Sequence, residues 1–336
     1  MFKSLSPLNV QFEVTYQCNN RCIFCYNACD SRSICPMDTD SAKRVIRSVV
    51  ANGVFGVNFN GGEPLIRRDF FEIATYAKEL GLDIHLNTNA TLVCDKSTAN
   101  KIATLFPAIC TSVLSADPSL HDRLSGRRGA FRETIRGIGL LQDAGVYVAV
   151  NTMLCKENAM GFSDTLEFLR KLGVQTLLVT RFISCGSSDR KLHLEDEMFI
   201  RQLRLLSAFQ RRHRCFARVA LPQPIPLCHL PADLVDDVRC WNIACNIGLC
   251  TASITCTGDL TPCNLVKEPI LGNLVDGDFS AFWAKFDGVS FCENQHLLSE
   301  CRSCLDISNC GGGCKGYNDG IRYRETNLRR GLNAKL

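Results

Sequence analysis

The chain has 336 residues, enough for one large domain and a small one, and its 46% hydrophobic content allows a sizeable core. A formal net charge of +4 with no long basic block argues against a dedicated nucleic-acid surface. The start, Met1-Phe2-Lys3-Ser4-Leu5-Ser6-Pro7, is not a secretory signal, and no run approaches the roughly 18 apolar residues of a membrane span, so a cytoplasmic protein is expected.

From residue 9 to 215 strand-like apolar runs alternate with longer amphipathic patterns, which reads as βαβ units and a parallel sheet. Strands are expected near Val10–Thr15, Phe55–Asn60, Asp83–Asn87, Cys110–Leu114, Tyr147–Thr152 and Gln175–Thr180. Helices are expected near Ser41–Asn52, Arg68–Leu80, Ser97–Leu105, Phe131–Ala144, Ser163–Leu172 and Asp196–Arg212. Ile135, Ile138 and Leu141 show the helical period, and Ser163 is a natural N-cap. Six units fall short of the eight of a closed barrel. The fold class is α/β: a partial (β/α)6 TIM-like barrel with a small cysteine-rich C-terminal module.

Unusual polar residues follow each strand. Cys18-Asn19-Asn20-Arg21-Cys22-Ile23-Phe24-Cys25 follows the first, and Gly61-Gly62-Glu63-Pro64 the second. Asn87-Thr88-Asn89, Ser115-Ala116-Asp117, Asn151-Thr152 and Arg181 follow the others. All fall at carboxyl ends of strands, where barrel enzymes build active sites.

The first loop carries C-x3-C-x2-C. Three thiolates so spaced can hold three irons of a [4Fe-4S] cube and leave the fourth iron open for chemistry; the bland alternative is zinc. With no export signal, disulfides are not expected among the 21 cysteines, so clustered ones read as metal ligands. Scattered ones (Cys94, Cys110, Cys155, Cys185, Cys215) read as small core residues. Gly61 and Gly62 let the backbone approach a ligand closely, and Glu63 can receive an ammonium. The Arg127 fork suits a carboxylate, its bland alternative being a surface charge.

Pro222, Pro224, Pro226 and Pro231 break regular structure, so 222–235 reads as a linker between a core of residues 1–221 and a module of 236–336. Ten cysteines follow: Cys240, Cys245, Cys250, Cys256, Cys263, Cys292, Cys301, Cys304, Cys310 and Cys314. The histidines have no partner spacing, and no Ser/His/Asp set or phosphate loop is visible.

The octet at residues 18–25 resembles the signature of the radical S-adenosylmethionine (SAM) enzymes, with Phe24 as the aromatic before the third cysteine. That resemblance implies Cys18, Cys22 and Cys25 as ligands of a cube whose open iron is chelated by SAM. It also implies Gly61-Gly62-Glu63-Pro64 as the loop binding the SAM amino group. Asn89 looks like the asparagine of a T-N-G segment, although Ala90 replaces the glycine. Ser115 and Arg127 resemble positions contacting the ribose and carboxylate of SAM.

The segment Cys245-x12-Gly258-x4-Cys263 followed by Cys301-x2-Cys304-x5-Cys310-x3-Cys314 resembles the SPASM extension, which binds two auxiliary [4Fe-4S] clusters. Carried over, the first auxiliary cluster takes Cys245, Cys263 and Cys314, with Cys240 or Cys250 as fourth ligand, Cys240 preferred. The second takes Cys301, Cys304 and Cys310. Relatives supply a further cysteine after the last pair, but nothing beyond Cys314 is a cysteine. Cys292 or an oxygen ligand from Asp319 or Glu325 could complete it; otherwise it binds substrate or is absent.

The resemblance implies an enzyme that cleaves SAM to a 5′-deoxyadenosyl radical and takes hydrogen from a peptide or protein. An electron donor such as flavodoxin or ferredoxin is implied. A separate leader-binding protein is a further expected partner, since neither end has room for a leader-binding domain. The rivals are a small-molecule oxidoreductase, such as a haem-pathway decarboxylase, and a non-catalytic iron–sulfur electron carrier. Asp117, Tyr317 and Asp319 are acid–base candidates.

Overall fold

The computed structural model describes residues 3–30, 35–184, 190–294, 301 and 303–316. Cys185, His296, Tyr317, Asp319 and Glu325 lie outside them. In chain order the main elements are β1 (Asn9–Thr15), α1 (Thr39–Ala51), β2 (Gly56–Gly61), α2 (Phe70–Glu79), β3 (Asp83–Asn87), α3 (Lys96–Leu105), β4 (Ala108–Ser112), α4 (Pro118–Ser125) and α5 (Ala130–Asp143). Then come β5 (Tyr147–Leu154), α6 (Phe162–Lys171), β6 (Thr176–Arg181), α7 (Asp196–His213) and β7 (Arg218–Ala220). The last part holds α8 (Val235–Trp241), β8 (Thr251–Ile254), β9 (Asp259–Thr261), β10 (Gly272–Asn273), α9 (Phe279–Lys285), α10 (Gly288–Asn294) and α11 (Ile307–Cys310).

All ten strands form one sheet, in the order β10-β9-β8-β1-β2-β3-β4-β5-β6-β7. The expected six parallel strands are there in sequence order. A seventh, β7, adds at one edge. At the other edge the cysteine-rich region contributes: β8 pairs parallel with β1, Asn9 opposite Thr251 and Phe12 opposite Ile254. β9 and β10 extend that edge antiparallel.

One face of the parallel sheet is apolar and covered by helices. Val10, Phe12 and Val14 of β1, Val57 and Phe59 of β2, and Leu177 and Val179 of β6 are buried in the main core. Phe59 meets Phe70 of α2 edge-on at 5.6 Å, and Phe70 stacks on Phe106 at 6.1 Å. Because side chains alternate along a strand, the other face presents Gln11, Glu13, Asn58, Asn60, Asn87 and Asn151.

Local chemistry sets the helix ends. Asp38 caps α1 by accepting from the Ser41 N–H at 2.7 Å. Asp117 caps α4 through Ser119 at 2.9 Å, Pro118 opens the helix, and Gly126 closes it at φ +64°. The proline-rich stretch before α8 has two short 3-10 turns, and Ile225, Leu227, Leu230 and Leu234 are buried in the main core. Among the scattered cysteines, Cys155 is buried and Cys110 and Cys215 half-buried, but Cys94 is exposed on the turn before α3.

Candidate active site

The cysteine loop leaves β1 and runs across the carboxyl ends of its neighbours. Its backbone is tied down on two sides. On one, Gly62 N–H donates to Thr15 O at 2.6 Å and Glu63 N–H to Gln17 O at 2.8 Å. A Cβ on Gly62 would sit 2.1 Å from Gln17 O, and Gly61 has φ +126°. The glycine pair thus lets the chain that leads into the cysteine loop pass close by. On the other side, Arg21 and Ile23 N–H groups donate to Ser125 and Leu124 carbonyls, each at 3.0 Å. Here Gly126 makes room, since a Cβ there would lie 2.0 Å from Arg21 O.

Cys18, Cys22 and Cys25 lie near enough for their charges to act on one another. Burial first, then the charges of Cys25 and Cys18, push the Cys22 thiol well above its usual range. Cys18 is pushed up to about 12, mainly by burial. Cys25 is lowered, chiefly because the Cys29 thiol donates to it, and the Cys29 N–H points at the same sulfur at 3.4 Å. Three cysteines in one loop, each able to lose its proton on binding iron, fit a cube, which gives each thiolate its own iron.

Glu63 is fully buried at the start of the 3-10 turn Pro64–Ile66. Its carboxylate accepts from Thr88 Oγ1 at 2.8 Å, Asn89 N–H at 2.7 Å and Leu65 N–H at 3.1 Å. Burial outweighs these bonds and lifts its pKa to about 7. The Asn89 amide donates to Asn19 Oδ1 at 2.9 Å and approaches Cys18 Sγ at 3.9 Å. Ala90 takes up the left-handed φ of +59°, the conformation that a glycine adopts freely. Arg127 donates to Asn20 Oδ1 at 2.8 Å and pairs with Glu133 at 2.5 Å. Buried Ser115 accepts from the Asp117 N–H at 3.0 Å, and Phe24 packs by Leu114, Leu124, Met153 and Phe182. Glu63, Asn89 and Arg127 thus lie directly against the cysteine loop. Arg181 instead turns to the helical side, pairing with Asp196 at 2.5 Å.

The C-terminal region reaches back to this loop. Lys267 Nζ lies 3.3 Å from buried Glu13 and 3.0 Å from Tyr16 Oη, and it also bonds Asn27. Asn27 in turn donates to Glu13 at 2.7 Å. Composition gave no hint of Lys267, because an isolated lysine reads as a solvated charge. Within the same region burial raises the Cys314 thiol, and Cys245 and Cys263 lie near enough for their charges to raise it further. Cys310 feels those of Cys304 and Cys301. Cys240 is exposed on α8, and the Cys250 thiol is raised by burial alone.

Comparison with known proteins agrees with this geometry. A family profile for the radical SAM superfamily matches residues 12–169, and one for the SPASM iron–sulfur cluster-binding domain matches residues 245–305. Residues 12–169 thus carry a radical SAM domain, the catalytic domain of a superfamily of enzymes. The chain also carries a C-terminal SPASM domain, and its cofactors are SAM and [4Fe-4S] clusters.

A protein called AdoMet-dependent heme synthase from Methanosarcina barkeri is 33% identical over 187 residues, which is 55% of this chain and 53% of that protein. The chain thus spans about half the length of that relative. One of the same name from Nitratidesulfovibrio vulgaris is 26% identical, covering 92% of this chain and 88% of it. The mycofactocin maturase MftC of Mycolicibacterium smegmatis is 23% identical, covering 92% and 78%. In fold the chain matches the crystal structure of Streptococcus suis SuiB bound to precursor peptide SuiA. The TM-score is 0.76 at 18% identity, covering 98% of this chain and 77% of SuiB.

Proposed function

We propose that this enzyme abstracts hydrogen from a peptide or protein segment. A cube and SAM, when bound, would supply the radical chemistry that abstraction needs. The chain's own residues hold and shield: Cys18, Cys22 and Cys25 bind the cube, Glu63 and Asn89 meet the SAM amino end, and Arg127 its carboxylate. Phe24 and its apolar neighbours exclude water beside the thiolates.

The observation that carries the substrate reading is the inner face of the sheet. It is lined by the amides of Gln11, Asn58, Asn60, Asn87 and Asn151. Side-chain amides both donate and accept hydrogen bonds, as a peptide backbone does. The names of the Methanosarcina and Nitratidesulfovibrio relatives favour a haem-type small molecule as the second reading. Electrons would come from a flavodoxin- or ferredoxin-type donor, and a separate leader-binding protein would present the peptide.

The test incubates reduced enzyme and SAM with peptides encoded nearby, with and without small partner proteins, and with iron coproporphyrin. Mass spectrometry should find a peptide that has lost two hydrogens, gained a crosslink or exchanged an α-hydrogen. Turnover of the porphyrin alone would establish the second reading. Replacing Cys18, Cys22 and Cys25 by Ala should abolish release of 5′-deoxyadenosine while auxiliary iron stays bound.

A further inference from the structure

Cys301, Cys304 and Cys310 are three thiols, one short of the four that a cube can take. The fold brings a further cysteine up beside them from upstream. Cys228 sits in the short 3-10 turn Leu227–His229, inside the proline-rich stretch. Leu227 and Leu230 anchor that turn in the main core, and Cys310 is buried in the same cluster.

The turn also touches the cysteine segment directly. The Leu227 backbone lies beside the Cys310 sulfur, and Pro224 O accepts from the Cys314 N–H at 3.1 Å. From the next helix, Arg239 Nε donates to Asp306 Oδ1 at 3.0 Å, holding the loop between Cys304 and Cys310 against α8. Cys228 lies at the solvent edge of this group. Cys310, Cys301 and Cys304 all lie near enough to Cys228 for their charges to act on its thiol. The alternative, Cys292, is buried with its thiol donating to Ile247 O at 3.1 Å.

We propose that Cys228 is the fourth ligand of the second auxiliary [4Fe-4S] cluster, completing a four-cysteine set with Cys301, Cys304 and Cys310. The proposal rests on the SPASM assignment and adds a ligand that arrives before the module rather than after it. Four thiolates saturate the four irons of a cube, each losing its proton on binding. A saturated cluster has no open iron for substrate, so its role is to pass electrons.

The experiment counts iron after anaerobic reconstitution in a chain already carrying Cys18→Ala, Cys22→Ala and Cys25→Ala, where only auxiliary clusters remain. This parent should hold about eight irons, four per cube. Adding Cys228→Ala should remove about four, or convert one cube to a three-iron cluster with its own electron paramagnetic resonance signal. Cys228→Ser, a smaller perturbation, should keep the circular dichroism of the parent and shift that cluster's spectrum. Cys292→Ala should change neither count nor spectrum. Full iron and unaltered spectra in both Cys228 variants overturn the proposal, as does loss on Cys292→Ala or Asp319→Ala with Cys228→Ala harmless. A parent holding four irons or fewer overturns the two-cluster assignment itself, and Cys228 with it.

Discussion

Glu63 and His121 are buried titratable groups whose protonation can be followed separately. The Glu63 carboxyl is lifted to about 7 by burial, so near neutrality much of it is protonated before any ligand arrives. An ammonium prefers the ionised form. SAM affinity should therefore fall as pH drops from about 8 to 6, and Glu63→Gln should flatten that profile. The variant should also bind roughly ten- to a hundredfold more weakly, the worth of a charge-assisted bond. Equilibrium dialysis of reconstituted protein against SAM checks both, and unchanged affinity removes Glu63 from the site. His121 is the reverse case. Burial pushes its imidazole from 6.5 down to about 4, and its Nδ1 accepts from Leu114 N–H at 3.3 Å. The unfolded chain binds the proton first as pH falls, so His121's contribution is complete above about 6.5 and is lost toward 4. At 1.36 kcal/mol per unit the loss reaches about 3 kcal/mol. His121→Asn keeps an acceptor without the charge. Its urea midpoint should drift less over that range than that of the parent.

Among the elements, the glycine contacts beside the cysteine loop are the most exacting. Gly126→Ala would put a methyl against Arg21 O at a left-handed position, costing on the order of 1–3 kcal/mol and displacing the loop. Reconstituted Gly126→Ala should lose the radical cluster's iron and keep auxiliary iron; full iron would show that the loop tolerates the shift. The cysteine spacing was legible because ligand geometry is local. The six parallel strands were legible because apolar runs alternate with helical periods. The purpose of Gly61-Gly62 was not, since a glycine pair signals close approach without saying what approaches. Nor was β8, because Thr-Ala-Ser-Ile carries no mark of the partner strand 242 positions earlier. Cys228 was hidden among prolines that read as a linker.

Across the whole molecule, barrel and module are joined by the Glu13–Lys267 pair as well as by the sheet. Glu13 is wholly buried while Lys267 is about a third exposed, so the pair is only partly screened. Lys267→Met should cost about 1–3 kcal/mol, less than a fully buried pair, because it strands the carboxylate. Glu13→Gln in the same chain should recover part of that loss. Chemical denaturation of the single and double variants measures it, and equal stability of all three would show that the pair contributes nothing.

The insertion of β8 beside β1 also sets a timetable for synthesis. One flank of β1 meets β2 as soon as residues near 61 have emerged, but the other waits for residues 251–254. At 5–20 residues per second a ribosome leaves that edge bare for roughly ten to forty seconds. An unpaired strand of seven residues with an apolar face is a template for other chains during that interval. A chain stopped at residue 221 should accumulate in the insoluble fraction, and adding residues 222–294 back in cis should return it to solution.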